Sequence, residues 1–96
     1  MVSAKELQTE LRPVFASYGI RKAVLFGSVS KGTHTENSDI DILVDSDLKG
    51  LKFLGLLEEL KRVSGREVDL IDVSHIEKNS AVEREIQQTG RIIYEE

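Results

Sequence analysis

Two carboxylates lie two residues apart in a stretch that otherwise resembles a buried strand. Asp39 and Asp41 flank Ile40 in the run "SDIDILV". Side chains alternate between the two faces of a strand, so both carboxylates point to the same face. The run "EVDLID", in a predicted strand over residues 67–73, carries Asp69 on one face together with Glu67 and Ile71. If the two strands are neighbours, Asp39, Asp41 and Asp69 converge on one point.

Three converging carboxylates repel one another unless a strong cation neutralises them. Mg²⁺ fits this role, because it prefers oxygen ligands and is usually held by a few carboxylates together with substrate phosphates. In the alternative structural interpretation, Asp39 caps a turn, Asp41 is solvated on an edge strand and Asp69 pairs with a basic side chain. Aspartate is depleted in strands, so its repeated occurrence on strand faces favours the metal site.

A glycine- and hydroxyl-rich turn follows the first predicted strand. Gly27 and Gly32 allow backbone amides to approach an anion, and Ser28 adds a hydroxyl, so this turn is suited to bind phosphate. The order "GSVSKGT" does not match a P-loop, which needs Gly-Lys-Thr and a wider glycine spacing. By itself the pattern is also compatible with a simple turn. The aspartates that follow it favour phosphate binding.

The composite pattern resembles the minimal nucleotidyltransferases of the polymerase-beta-like superfamily. It consists of Gly27-Ser28, three intervening residues, Gly32, a polar spacer, the run "SDID" and a later strand with Asp69. The resemblance extends from about residue 23 to residue 94 and includes "GREVDLID" and "GRIIYE". It implies an α/β (α+β) nucleotidyltransferase fold, in which helices pack on a small mixed sheet of three to four strands.

The resemblance also implies roles for individual residues. Gly27, Ser28 and Lys31 would bind the phosphates of a nucleoside triphosphate. Asp39, Asp41 and Asp69 would be catalytic and would hold two Mg²⁺ ions. Two ions about 3.5–4 Å apart can stabilise the entering and leaving oxygens of an in-line displacement.

The chain departs from the family pattern between the serine and the second glycine. Many members carry arginine there, whereas this sequence has Val29, Ser30 and Lys31. Lys31 can contribute a point charge without the fork geometry of arginine, or it can be an ordinary solvated lysine.

The function implied by the resemblance is Mg²⁺-dependent transfer of AMP from ATP to a protein hydroxyl. Members this short resemble the antitoxin of a toxin–antitoxin pair, and the implied acceptor is a tyrosine of a helical HEPN ribonuclease toxin. One alternative is a catalytically weak binding module that neutralises its partner by contact, although an intact aspartate triad would then have no purpose. Another is a transferase for a small hydroxyl compound, although those enzymes typically have an additional helical domain to hold the acceptor.

Composition limits the other possibilities. The 96 residues predict one domain over residues 1–96, and the absence of cysteine excludes disulfides and cysteine–zinc sites. A net charge of −4 without a basic tract argues against a long nucleic acid partner. The sequence shows no signal peptide or membrane-spanning run, so we expect a cytoplasmic protein without a membrane partner.

Periodicity and capping signals predict alternating helices and strands in the order α-β-α-β-α-β-α-β. Capping boxes at Ser3 and Ser80 open two of the helices, and Pro13 kinks or restarts the first one. The predicted strands cover residues 22–26, 39–44, 67–73 and 91–94. The third helix is expected to begin at an Asp47 cap, to end at Gly65 and to bury the leucine-rich face formed by Leu51, Leu54, Leu57, Leu60 and Val63.

The remaining polar and aromatic residues are assigned to the structure. We expect His34 and His75 to be polar surface residues and Asp45 to end a strand. Tyr18 and Tyr94 are expected to pack against the core. An apolar face left uncovered by so short a chain could bind a partner.

Overall fold

A computed structural model describes residues 3–33 and 38–96. His34 lies outside the described residues. Helices and strands alternate as the sequence predicts, with a single turn of 3-10 helix added after the third strand. In chain order the elements are α1 (Ala4–Ser17), β1 (Lys22–Phe26), α2 (Ser28–Lys31), β2 (Ile40–Asp45), α3 (Leu51–Ser64), β3 (Val68–Asp72), the 3-10 turn (Val73–His75), α4 (Ala81–Thr89) and β4 (Arg91–Glu95).

The strands form one mixed four-stranded sheet in the order β3-β2-β1-β4. β1 pairs antiparallel with both β2 and β4, whereas β2 and β3 are parallel. A parallel neighbour requires a crossover connection, which α3 provides. The expected mixed sheet with packed helices is confirmed, and strands β2 and β3 are neighbours.

The hydrophobic core lies between one face of the sheet and helices α1 and α3. Alternate residues of each central strand point to this face, because strand side chains have a period of two. The core residues include Leu7, Leu11, Phe15, Leu25, Ile40, Ile42, Val44, Leu56, Leu60 and Ile93. The rings of Phe15 and Tyr94 lie 5.6 Å apart, and Tyr18 also packs against the core, as expected for both tyrosines.

Two helices begin at the serines of the predicted capping boxes. The Ser3 hydroxyl accepts a hydrogen bond from the Glu6 N–H, and the Ser80 hydroxyl accepts one from the Glu83 N–H, each at 3.1 Å. Helix α1 runs through Pro13 without interruption, so the helix does not restart there.

The start of α3 differs from the prediction. Gly50, not Asp47, is its N-cap residue, and the helix has no side-chain cap. Asp47 instead forms an ion pair with Arg21, which also binds Asp45. The predicted cap is therefore wrong because a partner that is distant in sequence binds the carboxylate. The predicted end at Gly65 is confirmed.

The apolar face of α3 also differs in part. Leu51 and Leu54 are 86% and 52% exposed, whereas Leu56 and Leu60 are fully buried. Residues spaced strictly by three drift about 60° per step around a helix of 3.6 residues per turn. A run from Leu51 to Val63 at that spacing therefore cannot lie on a single face. No helix in residues 3–33 and 38–96 is long and apolar enough to cross a membrane.

Candidate active site

The sheet register brings two of the predicted aspartates together. Asp41 on β2 pairs with Asp69 on the parallel strand β3, and Asp41 pairs on its other side with Phe26 of β1. Phe26, Asp41 and Asp69 thus form one row across the sheet, on the face opposite the core. Neighbouring strands lie about 4.8 Å apart, so the two carboxylates are close.

Asp39 immediately precedes β2 and is exposed. Its charge, like that of Asp69, acts on Asp41, which is half-buried. Burial, followed by the negative charges of Asp69 and Asp39, raises the pKa of Asp41 to about 6. The three aspartates singled out in the sequence are thus electrostatically coupled, with Asp41 as the most perturbed member.

The glycine turn lies directly against this carboxylate. Gly27 is buried and has a φ of +79° and a ψ of −154°, a backbone conformation that is essentially restricted to glycine. A methyl group at this position would collide with Asp41 Oδ2. Glycine is therefore required both for the conformation and for the close approach of the turn to Asp41.

Ser28 opens the short helix α2 and is half-buried. Its hydroxyl makes no hydrogen bond to any residue in the described ranges 3–33 and 38–96, so it is available to a ligand. Lys31 is exposed at the end of the same helix, with its Nζ 3.7 Å from Glu85 Oε1. The three predicted phosphate-binding residues therefore lie in one turn beside Asp41.

Sequence patterns do not reveal two further residues, both on α4. The Gly27 N–H donates a hydrogen bond to Thr89 Oγ1 at 2.9 Å, and Ser30 Oγ donates to the Thr89 carbonyl oxygen. Glu85 pairs with Lys31 and makes a smaller contribution to the raised pKa of Asp41. Glu85 and Thr89 are four residues apart on one helix face, but only the tertiary fold places that face over the turn.

The donor set fits a hard divalent cation, because it consists of carboxylate oxygens whose mutual repulsion a cation would relieve. Within residues 3–33 and 38–96, no three His, Cys, Asp or Glu side chains form a cluster that could hold a metal ion. The observation that favours a cation is the unfavourable charge at Asp41.

The other predicted polar residues lie outside this site. His75 is exposed in the 3-10 turn, as expected for a polar surface residue, and Asp45 ends β2 and binds Arg21. Asp72 is buried at the end of β3, where it accepts hydrogen bonds from the backbone and side chains of Ser46 and Ser74. Its role is to join the ends of β2 and β3.

Comparison with known proteins adds independent information. Residues 9–96 match the family described as "Polymerase beta, Nucleotidyltransferase". The protein adenylyltransferase MntA of Thermococcus cleftensis is 40% identical over 66 residues, which cover 67% of each chain.

Solved structures share the fold. A toxin–antitoxin complex crystallised with AMP-PNP contains a chain that matches with a TM-score of 0.78 at 24% identity, over 93% of this chain and 73% of the other. An MNT antitoxin in complex with a tri-AMPylated HEPN toxin of Shewanella oneidensis matches with a TM-score of 0.71 at 19% identity, over 94% and 71% of the respective chains. The family match covers most of the chain and agrees with the fold. The chain therefore belongs to the polymerase-beta nucleotidyltransferase family and is a nucleotidyltransferase similar to protein adenylyltransferases.

Proposed function

We propose that this chain transfers AMP from ATP to a tyrosine hydroxyl of a HEPN-type toxin and thereby acts as its antitoxin. The observation that carries the proposal is the pairing of Asp41 with Asp69 across β2 and β3, with the Gly27 turn against Asp41. This pairing sets acidic side chains beside a turn that is suited to phosphate. A nucleoside triphosphate with its divalent cations matches both halves of such a site.

The chain's own residues have distinct roles in this proposal. Asp39, Asp41 and Asp69 would hold two Mg²⁺ ions, and Ser28, with the backbone of the turn, would orient the triphosphate. The ions, when bound, would supply charge neutralisation at the entering and leaving oxygens. Lys31 would add a positive charge at the phosphates once it leaves its ion pair with Glu85 and pairs with the ligand.

The transfer is an in-line displacement at the α-phosphorus. A bond forms between the acceptor oxygen and the α-phosphorus, the bond from that phosphorus to the bridging α–β oxygen breaks, and pyrophosphate leaves. The proton of the acceptor hydroxyl is lost to solvent. The protein contributes mainly by positioning and electrostatic stabilisation, because no covalent intermediate is required.

The partner is proposed from the relatives. The T. cleftensis relative is named as a protein adenylyltransferase, and the S. oneidensis structure contains an AMPylated HEPN toxin bound to its MNT antitoxin. A protein acceptor also suits a site whose Asp69 is exposed on an edge strand, where a large molecule can approach.

A labelling experiment tests the proposal. The purified chain is incubated with a HEPN toxin, Mg²⁺ and ATP labelled either at the α- or at the γ-phosphate. We expect the toxin to acquire label from α-labelled ATP only. No label should be incorporated when EDTA is present or when the acceptor tyrosine is replaced by phenylalanine. Asp41→Asn is the matched inactive control.

Two results would contradict the proposal. Label transferred from the γ-phosphate would indicate phosphorylation in place of nucleotidyl transfer. Neutralisation of the toxin by Asp41→Asn as complete as that by the wild-type chain would indicate a binding module whose chemistry is dispensable.

A further inference from the structure

Thr89, the last residue of helix α4, makes two hydrogen bonds to the glycine turn. The Thr89 hydroxyl accepts a hydrogen bond from the Gly27 N–H, although the two residues are 62 positions apart in sequence. The Thr89 carbonyl oxygen accepts a second bond from the Ser30 hydroxyl. One residue therefore binds the beginning and the middle of the same turn.

The hydrogen-bonding capacity of a hydroxyl explains why the Thr89 side chain acts as an acceptor for the turn. Thr89 Oγ1 donates its only proton to the Glu85 carbonyl oxygen at 2.8 Å, which leaves its lone pairs for the Gly27 N–H. Thr89 is thus an acceptor fixed by its own helix.

The end of α4 also lies close to strand β1. A methyl group at Gly90, the residue after Thr89, would collide with the Ile86 carbonyl oxygen and would come within 3.1 Å of Val24 Cγ1. Thr89 therefore precedes the point where the chain leaving α4 approaches β1.

We propose that Thr89 is a positioning residue for nucleotide binding, which acts through Gly27 and Ser30 and makes no contact with the substrate itself. This inference rests on the proposed function, because it assigns the turn to the triphosphate. Thr89 fixes the Gly27 backbone in its glycine-only conformation, so that Ser28 and the following amides are ordered before ATP arrives. Order that exists before binding lowers the cost of binding.

The test compares Thr89→Val with Thr89→Ser. Valine keeps the branched shape and removes the hydroxyl, whereas serine keeps the hydroxyl. Thr9→Val on α1 is the matched control, because Thr9 makes the same kind of bond to the Lys5 carbonyl oxygen, far in sequence from the turn.

Two readouts are used below the unfolding temperature of every variant. Calorimetry measures the affinity for Mg²⁺ with α,β-methylene-ATP, which cannot release pyrophosphate, and steady-state kinetics measures KM and kcat for ATP. We expect Thr89→Val to weaken analogue binding and raise KM by about five- to thirty-fold, with kcat changed much less. Thr89→Ser and Thr9→Val should remain close to the wild type.

Hydrogen exchange at the Gly27 amide gives a readout that needs no nucleotide. Exchange should be faster in Thr89→Val and unchanged in Thr9→Val. If Thr89→Val binds the analogue as tightly as the wild type, or if Thr89→Ser is equally impaired, the positioning role is wrong. If the wild-type chain itself fails to bind the analogue, the proposed function is wrong, and a faster Gly27 exchange in Thr89→Val would then reflect a purely structural bond.

Discussion

Asp41 and Asp69 are paired residues on the parallel strands β2 and β3, so the sheet register itself brings their carboxylates together. Repulsion between them is a cost that the metal-free fold bears at neutral pH. Replacing either carboxylate should therefore change two measurable quantities, the stability of the metal-free protein and the transfer activity of the enzyme.

Replacing Asp41 with asparagine should stabilise the metal-free protein at neutral pH. The folded-state pKa of Asp41 is raised to about 6, so the folded state binds a proton more tightly than the unfolded chain does. The wild type then loses stability as pH rises from about 4 to 6 and regains it as pH falls. We expect a gain of roughly 1–2 kcal/mol for Asp41→Asn at pH 7, reduced from the full value of the shift because the carboxylate is partly solvated.

Urea denaturation in EDTA across this pH range measures the effect. The difference between Asp41→Asn and the wild type should shrink below pH 4 or so, where both carry a neutral side chain. A difference that stays constant with pH would contradict the assigned ionisation.

Replacing Asp69 with asparagine should impair chemistry more than nucleotide binding. Asp69 is exposed at the sheet edge, and in the proposed function it would hold the metal ion nearer the attacking hydroxyl. Transfer should fall by orders of magnitude, while calorimetry still detects binding of Mg²⁺–ATP, the pattern of an interaction that matters mainly in the transition state. Wild-type values for both would make Asp69 an ordinary surface carboxylate.

Removing the Ser28 hydroxyl should weaken use of the triphosphate without affecting the fold. Within residues 3–33 and 38–96 this hydroxyl makes no hydrogen bond, so Ser28→Ala leaves no described group unpaired. Loss of a hydrogen bond to a charged phosphate should cost about 1.5–3 kcal/mol in kcat/KM. Thermal denaturation serves as the control, and unchanged kinetics would show that the serine does not touch the nucleotide.

A methyl group at Gly27 should destabilise the protein and disturb the carboxylate site together. The conformation of Gly27 should cost an alanine about 1–3 kcal/mol, and Asp41 must also move away. Gly19→Ala is the control, since Gly19 also has a positive φ (+67°) but a methyl group there would meet nothing within 4 Å. Denaturant midpoints and transfer assays should show that only Gly27→Ala loses activity. If Gly19→Ala lost as much transfer activity as Gly27→Ala, the role assigned to the close approach of Gly27 to Asp41 would be wrong.

Asp72 should show the opposite pH dependence to Asp41. Burial raises its pKa, but the hydrogen bonds from Ser74 and Ser46 outweigh that effect and lower the pKa overall. Its stabilisation is therefore present above the unfolded pKa of about 3.9 and is lost as pH falls towards the lower folded value. Asp72→Asn should cost about 1–3 kcal/mol at pH 7, because asparagine leaves donors unpaired. Urea titration alongside the exposed Glu77→Gln checks this, and equal stability of the two would exclude the buried network.

Some local signals in the sequence were reliable, but the cap and the apolar face predicted for α3 were not, and contacts distant in sequence could not be predicted. The capping serines Ser3 and Ser80 act within one helical turn, so their helices begin as predicted. The expected alternation along β2 is present, because Ile40 and Ile42 lie in the core and Asp41 points to the other face. The Asp47 cap failed because Arg21, 26 residues away, binds that carboxylate.

The same distinction applies to the candidate site. The proximity of Asp41 and Asp69 could be predicted from the sequence, because it requires only the assumption that the second and third strands are neighbours. Thr89 and Glu85 could not be found, because no spacing rule connects α4 to a turn at Gly27. Their contribution depends on the packing of α4 across the sheet.

The link between Thr89 and Gly27 also has a consequence for how the protein folds. Strand β1 is central and pairs with β4, so the sheet is complete only when residues 91–95 have paired with residues 22–26. Such distant pairings carry a large loop-closure cost and slow the folding of small domains. Because Thr89 lies just before β4, we expect the turn to become ordered only when β4 completes the sheet. A partly folded chain would then have the aspartates but no ordered turn beside them.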